Sequence, residues 1–155
     1  MKTKDWLKLV SSILLCQLAG VIGAIFTMPA ISQWYAFLTK PSFSPPNWLF
    51  GPAWFVLYTL MGIALFLIWR QGKQSKAAFS LFLIHLIFNT AWSILFFGLR
   101  NPLLGLVDIM IMWVLIVVIY FKFSKINKTA AYLLIPYWLW VSFATILNYA
   151  IVILN

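Results

Sequence analysis

Very few side chains in this sequence could do conventional chemistry. Its 155 residues contain one His (His85), one Cys (Cys16), two Asp (Asp5 and Asp108) and no Glu. A metal centre needs several His, Cys or carboxylate ligands at short spacing, and no such constellation is present. Ser/His/Asp catalysis needs a nucleophile beside its base, and none is evident near His85. Phosphate-cradling glycine loops are absent. Cys16 can form no intrachain disulfide and lies in an apolar run, so it is silent on redox compartment. The remaining chemistry is aromatic: nine Trp, six Tyr and fourteen Phe, together 19% of the chain.

The elements that position these rings follow from composition. With 65% hydrophobic residues, 8% charged and a mean hydropathy of +1.01, the chain exceeds what a soluble domain of this length can bury. Its solvent is lipid. Five apolar runs predict five transmembrane helices, at about 6–28, 48–69, 77–97, 102–121 and 130–154. Each run is long enough to cross a hydrocarbon core of about 30 Å, and none shows the strict alternation of a barrel strand. The expected fold is an all-α membrane protein, a single five-helix bundle over 1–155. The first run exceeds the usual 7–15 apolar residues of a cleaved signal peptide and reads as a span.

The net charge of +9 reflects topology, not nucleic acid. Lys2, Lys4, Lys8, Arg70, Lys73, Lys76, Lys122, Lys125 and Lys128 fall at one end of the bundle, whereas Lys40 and Arg100 fall at the other. Nine positives against two predict a cytoplasmic N-terminus and an outer C-terminus. Trp6 and Trp69 would mark the inner interface, with Trp34 and Trp48 at the outer one. The outer connection over 27–47 is long for so small a protein. It carries four prolines and four aromatics, and serves either as a lid or as a cap.

Polar groups at membrane depth tend to face the bundle interior. His85, Asn89, Trp92 and Phe96 share one face of the third span. Tyr137, Trp140, Ala144 and Asn148 share one of the fifth, and Trp54, Tyr58, Met61 and Leu65 one of the second. Asp108 lies near the start of the fourth. With the topology above, four helices bring polar or amphipathic groups to the outer half, whereas the inner half offers only serines. The expected result is an aromatic-walled cavity under the long loop, the usual form of a small-molecule site. Taken singly, Asn89, Asn148 and Tyr137 read first as interhelical hydrogen-bond partners, and His85 as a satisfied interior residue rather than a ligand. Asp108 pairs with a nearby amide, pairs with Arg100, or is protonated. The small pairs Cys16/Gly20 and Ala19/Gly23 allow close helix packing, within a monomer or a dimer. Pro136 is a candidate kink in the fifth span, and Val141 reads as a lipid-facing position.

Three segments resemble the TspO/MBR family, the tryptophan-rich sensory and translocator proteins related to the peripheral benzodiazepine receptor. They are Lys40-Pro41-Ser42-Phe43-Ser44-Pro45-Pro46 followed by Trp48, Phe50, Trp54 and Tyr58; the run from Phe88 through Asn89 and Trp92 to Phe97; and the run from Pro136 through Tyr137, Trp140, Ala144 and Asn148 to Tyr149. The resemblance covers about 28–155. It implies a five-helix bundle, often a homodimer, in a bacterial membrane. It also implies binding of porphyrins such as protoporphyrin IX and haem-like tetrapyrroles, with isoquinoline-carboxamide drugs and lipids as further partners and no required cofactor. The implied ligand residues are Trp34, Tyr35, Pro45, Trp54, Tyr58, Asn89, Trp92, Asp108, Tyr137, Trp140, Ala144 and Asn148. Lys40 or Arg100 would meet the propionates. The basic residue that animal members carry shortly after the equivalent of Tyr149 is missing, which argues against tight cholesterol binding. Binding in the service of sensing or tetrapyrrole transport is the leading expectation. The alternative is a light-dependent porphyrin-degrading enzyme in which Trp54 and Trp140 are oxidised.

Overall fold

The computed structural model describes residues 3–155, so Lys2 of the positive count lies outside the described residues. Those residues form helices α1 (Thr3–Gln33), α2 (Phe50–Trp69), α3 (Lys76–Ser93), α4 (Pro102–Ile126), α5 (Lys128–Tyr132) and α6 (Ile135–Leu154), with no strand among them. Five stretches are long and apolar enough to span a membrane: Thr3–Gln33, Asn47–Trp69, Gly72–Gly98, Pro102–Ile126 and Lys128–Leu154. Helices are what such runs must form in lipid, where every backbone N–H and C=O needs an internal partner.

The ends differ from expectation in instructive ways. The first helix does not stop at 28. It runs through Pro29 to Gln33, which shortens the long loop from 27–47 to 34–46. Pro29 removes one backbone donor, but its ring lies at an exposed position and the helix closes normally after it, Trp34 N–H donating to the Ala30 carbonyl at 3.0 Å. α4 continues past 121 to Ile126 because Lys122 and Lys125 can extend their stems toward water. The fifth span is broken rather than bent. α5 ends at Tyr132, Leu133 and Leu134 turn, and Pro136 falls in the first turn of α6, where a missing N–H is harmless. After α3, a π-helical turn covers Ile94–Gly98, closed by Leu99 N–H to the Ile94 carbonyl at 2.8 Å.

Caps fix the starts of two helices. The Asn101 side chain accepts from Leu104 N–H at 3.0 Å and Pro102 follows it. The Asn127 side chain accepts from Ala130 N–H at 3.0 Å.

α1 packs most closely on α2 and α3, and small residues permit it. Cys16 and Ala19 are buried. A methyl added at Gly62 would stand 2.5 Å from the Ile13 Cα, one at Gly20 2.5 Å from the Tyr58 ring, and one at Gly23 2.9 Å from Ser93 Oγ. The small residues of α1 thus serve packing within the monomer. Helix association in lipid rests on such close van der Waals contact rather than on hydrophobic expulsion. The larger buried cluster joins Met61, Leu65, Phe82, Met112, Ile116 and Phe123. A smaller one, of Tyr35, Phe96, Leu147 and Ile151, lies beneath the loop. Between them the packing opens.

Candidate ligand cavity

The opening is a cavity of about 500 Å³ at the loop end of the bundle. α2 contributes Trp54 and Tyr58, stacked on each other with centroids 5.2 Å apart and planes at 27°. α3 contributes Asn89 and Trp92, and Trp92 stacks on Phe96 at 5.1 Å and 21°. The π-helical turn matters here. One extra residue in the turn rotates the next side chains about the helix axis, so that Phe96 and Phe97 both line the cavity and meet edge to face at 4.8 Å. α6 contributes Trp140, Ala144 and Asn148, and the ring of Phe50 meets Trp140 edge to face at 6.0 Å.

A buried hydrogen-bond chain braces the wall. Tyr58 Oη donates to Asn89 Oδ1 at 2.6 Å, Asn89 Nδ2 donates to Tyr137 Oη at 2.9 Å, and Tyr137 Oη meets His85 Nε2 at 2.8 Å. All four side chains are buried. One consistent proton order runs from Tyr58 to His85, which leaves the imidazole proton on Nδ1, an atom with no partner among the described residues. A second link ties the far wall: Trp92 Nε1 donates to Asn148 Oδ1 at 3.2 Å, and Asn148 Nδ2 to the Pro102 carbonyl at 2.8 Å.

Of the twelve residues expected at the site, eight line the cavity: Tyr35, Trp54, Tyr58, Asn89, Trp92, Trp140, Ala144 and Asn148. Four do not. Tyr137 is buried, with Trp54 edge to face on its ring at 6.2 Å and Asn89 on its hydroxyl, and acts through the chain just described. Trp34 packs its ring edge to face on Phe96 at 5.6 Å, as backing for the roof. Pro45 stays in the loop. Asp108 is buried beside the lining residue Ile109, about 100° further round α4, and its Oδ2 has no partner among the described residues. Arg100 does not pair with it, because that guanidinium donates to Gln33 Oε1 at 3.3 Å. Lys40 is also occupied: its ammonium donates to the carbonyls of Tyr35, Ala36 and Leu38 and lies 4.8 Å over the Tyr35 ring. Burial pushes the Tyr35 phenol above its ordinary pKa, partly opposed by a hydrogen bond with Ser44. Val141, read as lipid-facing, is fully buried. The outward positions of α6 include Leu139, Ile146, Tyr149 and Ile153.

Sequence reasoning missed α1 as a wall. Gln17, Gly20, Ala24, Thr27 and Ile31 all line the cavity. The signal was present: Gln17, Gly20, Ala24 and Thr27 stand at i, i+3, i+7 and i+10, a small and polar stripe on an otherwise apolar helix. Gln17 Nε2 donates to the Phe55 carbonyl and to Thr59 Oγ1, both at 3.0 Å, so it clamps α1 to α2 beside the cavity. Among the described residues no group of three His, Cys, Asp or Glu could hold a metal ion.

The loop is pinned as a roof. Phe43 meets Phe143 edge to face at 6.3 Å. Thr39 N–H donates to Asn155 Oδ1, and Asn155 Nδ2 to the Thr39 carbonyl, both at 2.9 Å.

The TspO/MBR family model matches residues 12–154 of the chain. The tryptophan-rich protein TspO of Archaeoglobus fulgidus is 48% identical over 153 residues, which is 96% of this chain and 97% of that one. Its counterpart in Chlorobaculum tepidum is 42% identical, covering 98% of each. The translocator protein of Bos taurus is 35% identical, over 93% of this chain and 88% of its own.

Proposed function

The chain belongs to the TspO/MBR family, and on that premise we propose that it is a receptor- or sensor-type membrane protein that binds porphyrins, protoporphyrin IX among them, in the cavity at its loop end. The observation that carries this reading is the wall itself. Trp54, Tyr58, Trp92 and Trp140 bring flat rings to one cavity of about 500 Å³, within the range of about 300–1,000 Å³ typical of small-molecule sites. Aromatic pairs gain about 0.5–1.5 kcal/mol each beyond area burial, which suits a planar macrocycle. Asn89 and Asn148 are held in place by bonds to neighbouring helices, so an entering ligand meets oriented amides. The exposed Arg100 guanidinium, which donates to Gln33, is the better placed of the two rim cations to meet a propionate, since Lys40 already serves three carbonyls. Isoquinoline-carboxamide compounds and lipid would use the same apolar walls, and a homodimer is the assembly that the family resemblance implies.

A dark titration with protoporphyrin IX tests the reading. Ala144 lines the cavity on α6, and Ala144→Thr adds volume to a formed wall, where overfilling costs about 1–3 kcal/mol. Porphyrin affinity is expected to fall about tenfold. Ile146→Thr, on the lipid-facing side of the same helix, is expected to leave it unchanged. Equal losses in the two variants would remove the cavity from the account.

The alternative of light-dependent degradation keeps one specific support: Trp54 and Trp140, the two candidate electron donors, both line the cavity. Illumination of the complex separates the readings. Binding alone gives porphyrin bleaching at the protein-free rate. Chemistry gives a new tetrapyrrole absorbance that Trp140→Phe reduces while binding persists.

The charge bias further supports a roof on the outer side. Phe37 is the most exposed loop aromatic, at 81%. In a Cys16→Ala background, Phe37→Cys is expected to react with an impermeant maleimide in intact cells. Labelling that appears only after lysis would reverse the orientation.

A further inference from the structure

The opposite end of the bundle holds a second cavity, of about 360 Å³, between the start of α1, the end of α2 and the start of α3. Three lysines line it, Lys8, Lys73 and Lys76, together with Ser75, Ser80, Trp69 and Phe79. No carboxylate is among the described residues that line it. The chain has only two: Asp108 belongs to the other end, and Asp5 lies one turn before Lys8 on α1.

We propose that this cavity is a binding site for the phosphate headgroup of an anionic glycerophospholipid. The charge is not simply spread over the end of the bundle. Lys122, Lys125 and Lys128 bring three more positives to the same end, yet they do not line the cavity. Positive-inside topology explains the sign of the charge at this end; it does not explain why three lysines from two helices and a turn converge on one concavity. The convergence has a local cause. Gly72 adopts φ +76°, a left-handed conformation open to glycine at little cost, and this reverses the chain after α2 so that Lys73 and Lys76 come to line one cavity with Lys8 of α1. Lys8 is also held in place: its Nζ lies 5.8 Å over the Trp69 ring, which packs on Phe79 at 5.4 Å. A cation positioned in this way loses less freedom when an anion arrives.

The surroundings favour a lipid over a soluble anion. Trp69 and the lysines mark the headgroup level, and Leu7, Val10 and Leu14 continue as exposed apolar side chains along α1 from the turn that carries Lys8. A phosphate tethered to acyl chains can use both the cations and this apolar strip, whereas inorganic phosphate can use only the cations. The site is separate from the porphyrin cavity and does not depend on that assignment.

Native mass spectrometry of the purified full chain, equilibrated with equimolar phosphatidylglycerol and phosphatidylcholine, tests the proposal. The unaltered protein is expected to retain one phosphatidylglycerol with about tenfold preference. Lys8→Gln/Lys73→Gln/Lys76→Gln is expected to reduce the preference below about twofold, and the charge-matched Lys122→Gln/Lys125→Gln/Lys128→Gln to keep it. The single exposed substitution Lys73→Gln, a milder change in a turn, is expected to lower it about threefold. Equal loss in both triple variants, or no loss in Lys73→Gln and the first triple, overturns the site. Displacement of the bound lipid by excess inorganic phosphate overturns the lipid as its occupant.

Discussion

Gly62→Val is expected to lower the melting temperature of the detergent-solubilised protein by about 10 °C. The added branch would meet the backbone of Ile13, Cα at 2.5 Å and N at 3.0 Å. Backbone cannot swing aside as a side chain can, so α1 as a whole must move away from α2. Overfilled packing costs typically about 1–3 kcal/mol and more where backbone must shift. For a chain of this length each kcal/mol corresponds to about 2–4 °C. Loss of cavity shape should follow, since α1 and α2 form two of its walls. Gly51→Ala is the control: a methyl there meets nothing within 4 Å, and the expected shift is below about 2 °C. A Gly62→Val protein that melts with the unaltered one would show that α1 is not seated as described.

The second large effect belongs to Asn89. Asn89→Leu takes the acceptor from Tyr58 and a donor from Tyr137 in one step. A buried polar group left without its partner costs about 1–3 kcal/mol, so a fall of about 4–8 °C is expected. The porphyrin site should weaken with it, because Tyr58 then has no reason to hold its ring against Trp54. A less intuitive outcome is expected of the double variant. Adding Tyr58→Phe to Asn89→Leu removes the stranded hydroxyl, so the double variant should melt above the single. If it melts below, the chain from Tyr58 to His85 is not the source of the cost.

Much of this architecture was legible because lipid imposes simple rules. Five apolar runs became five spans, and the amides and rings assigned to one depth do converge there, from Trp54 on α2 to Asn148 on α6. The departures share a physical pattern. Residues that matter through what they lack carry little signal: Gly20 and Ala24 shape the cavity by leaving room, and hydropathy does not register room. Backbone irregularity is invisible as well. Pro29 has the composition of a terminator and is a tolerated interruption, whereas the π-helical turn at Ile94–Gly98 has no compositional mark yet re-aims Phe96 and Phe97. Tyr137 and Asp108 lie on the expected helices, but helical periodicity could not separate a residue that lines the cavity from one packed a single layer behind it. Val141 was misread for the same reason, at a position where α6 turns two sides toward its neighbours.

The cavity wall has two faces. Val21, Met28, Trp48 and Phe55 all line it, yet each is also among the exposed apolar residues of the bundle. In a bilayer those outward faces touch acyl chains, so an occupant is separated from the lipid by about one side chain. The reservoir with which the site equilibrates is then the membrane rather than the aqueous phase. An apolar macrocycle partitions strongly into that reservoir, and an affinity expressed as aqueous molarity will drift with the amount of lipid or detergent in the cuvette. Expressed as a mole fraction in the hydrocarbon phase, it should become constant. Two preparations that differ only in lipid-to-protein ratio would then yield one partition-corrected constant in place of two discordant ones.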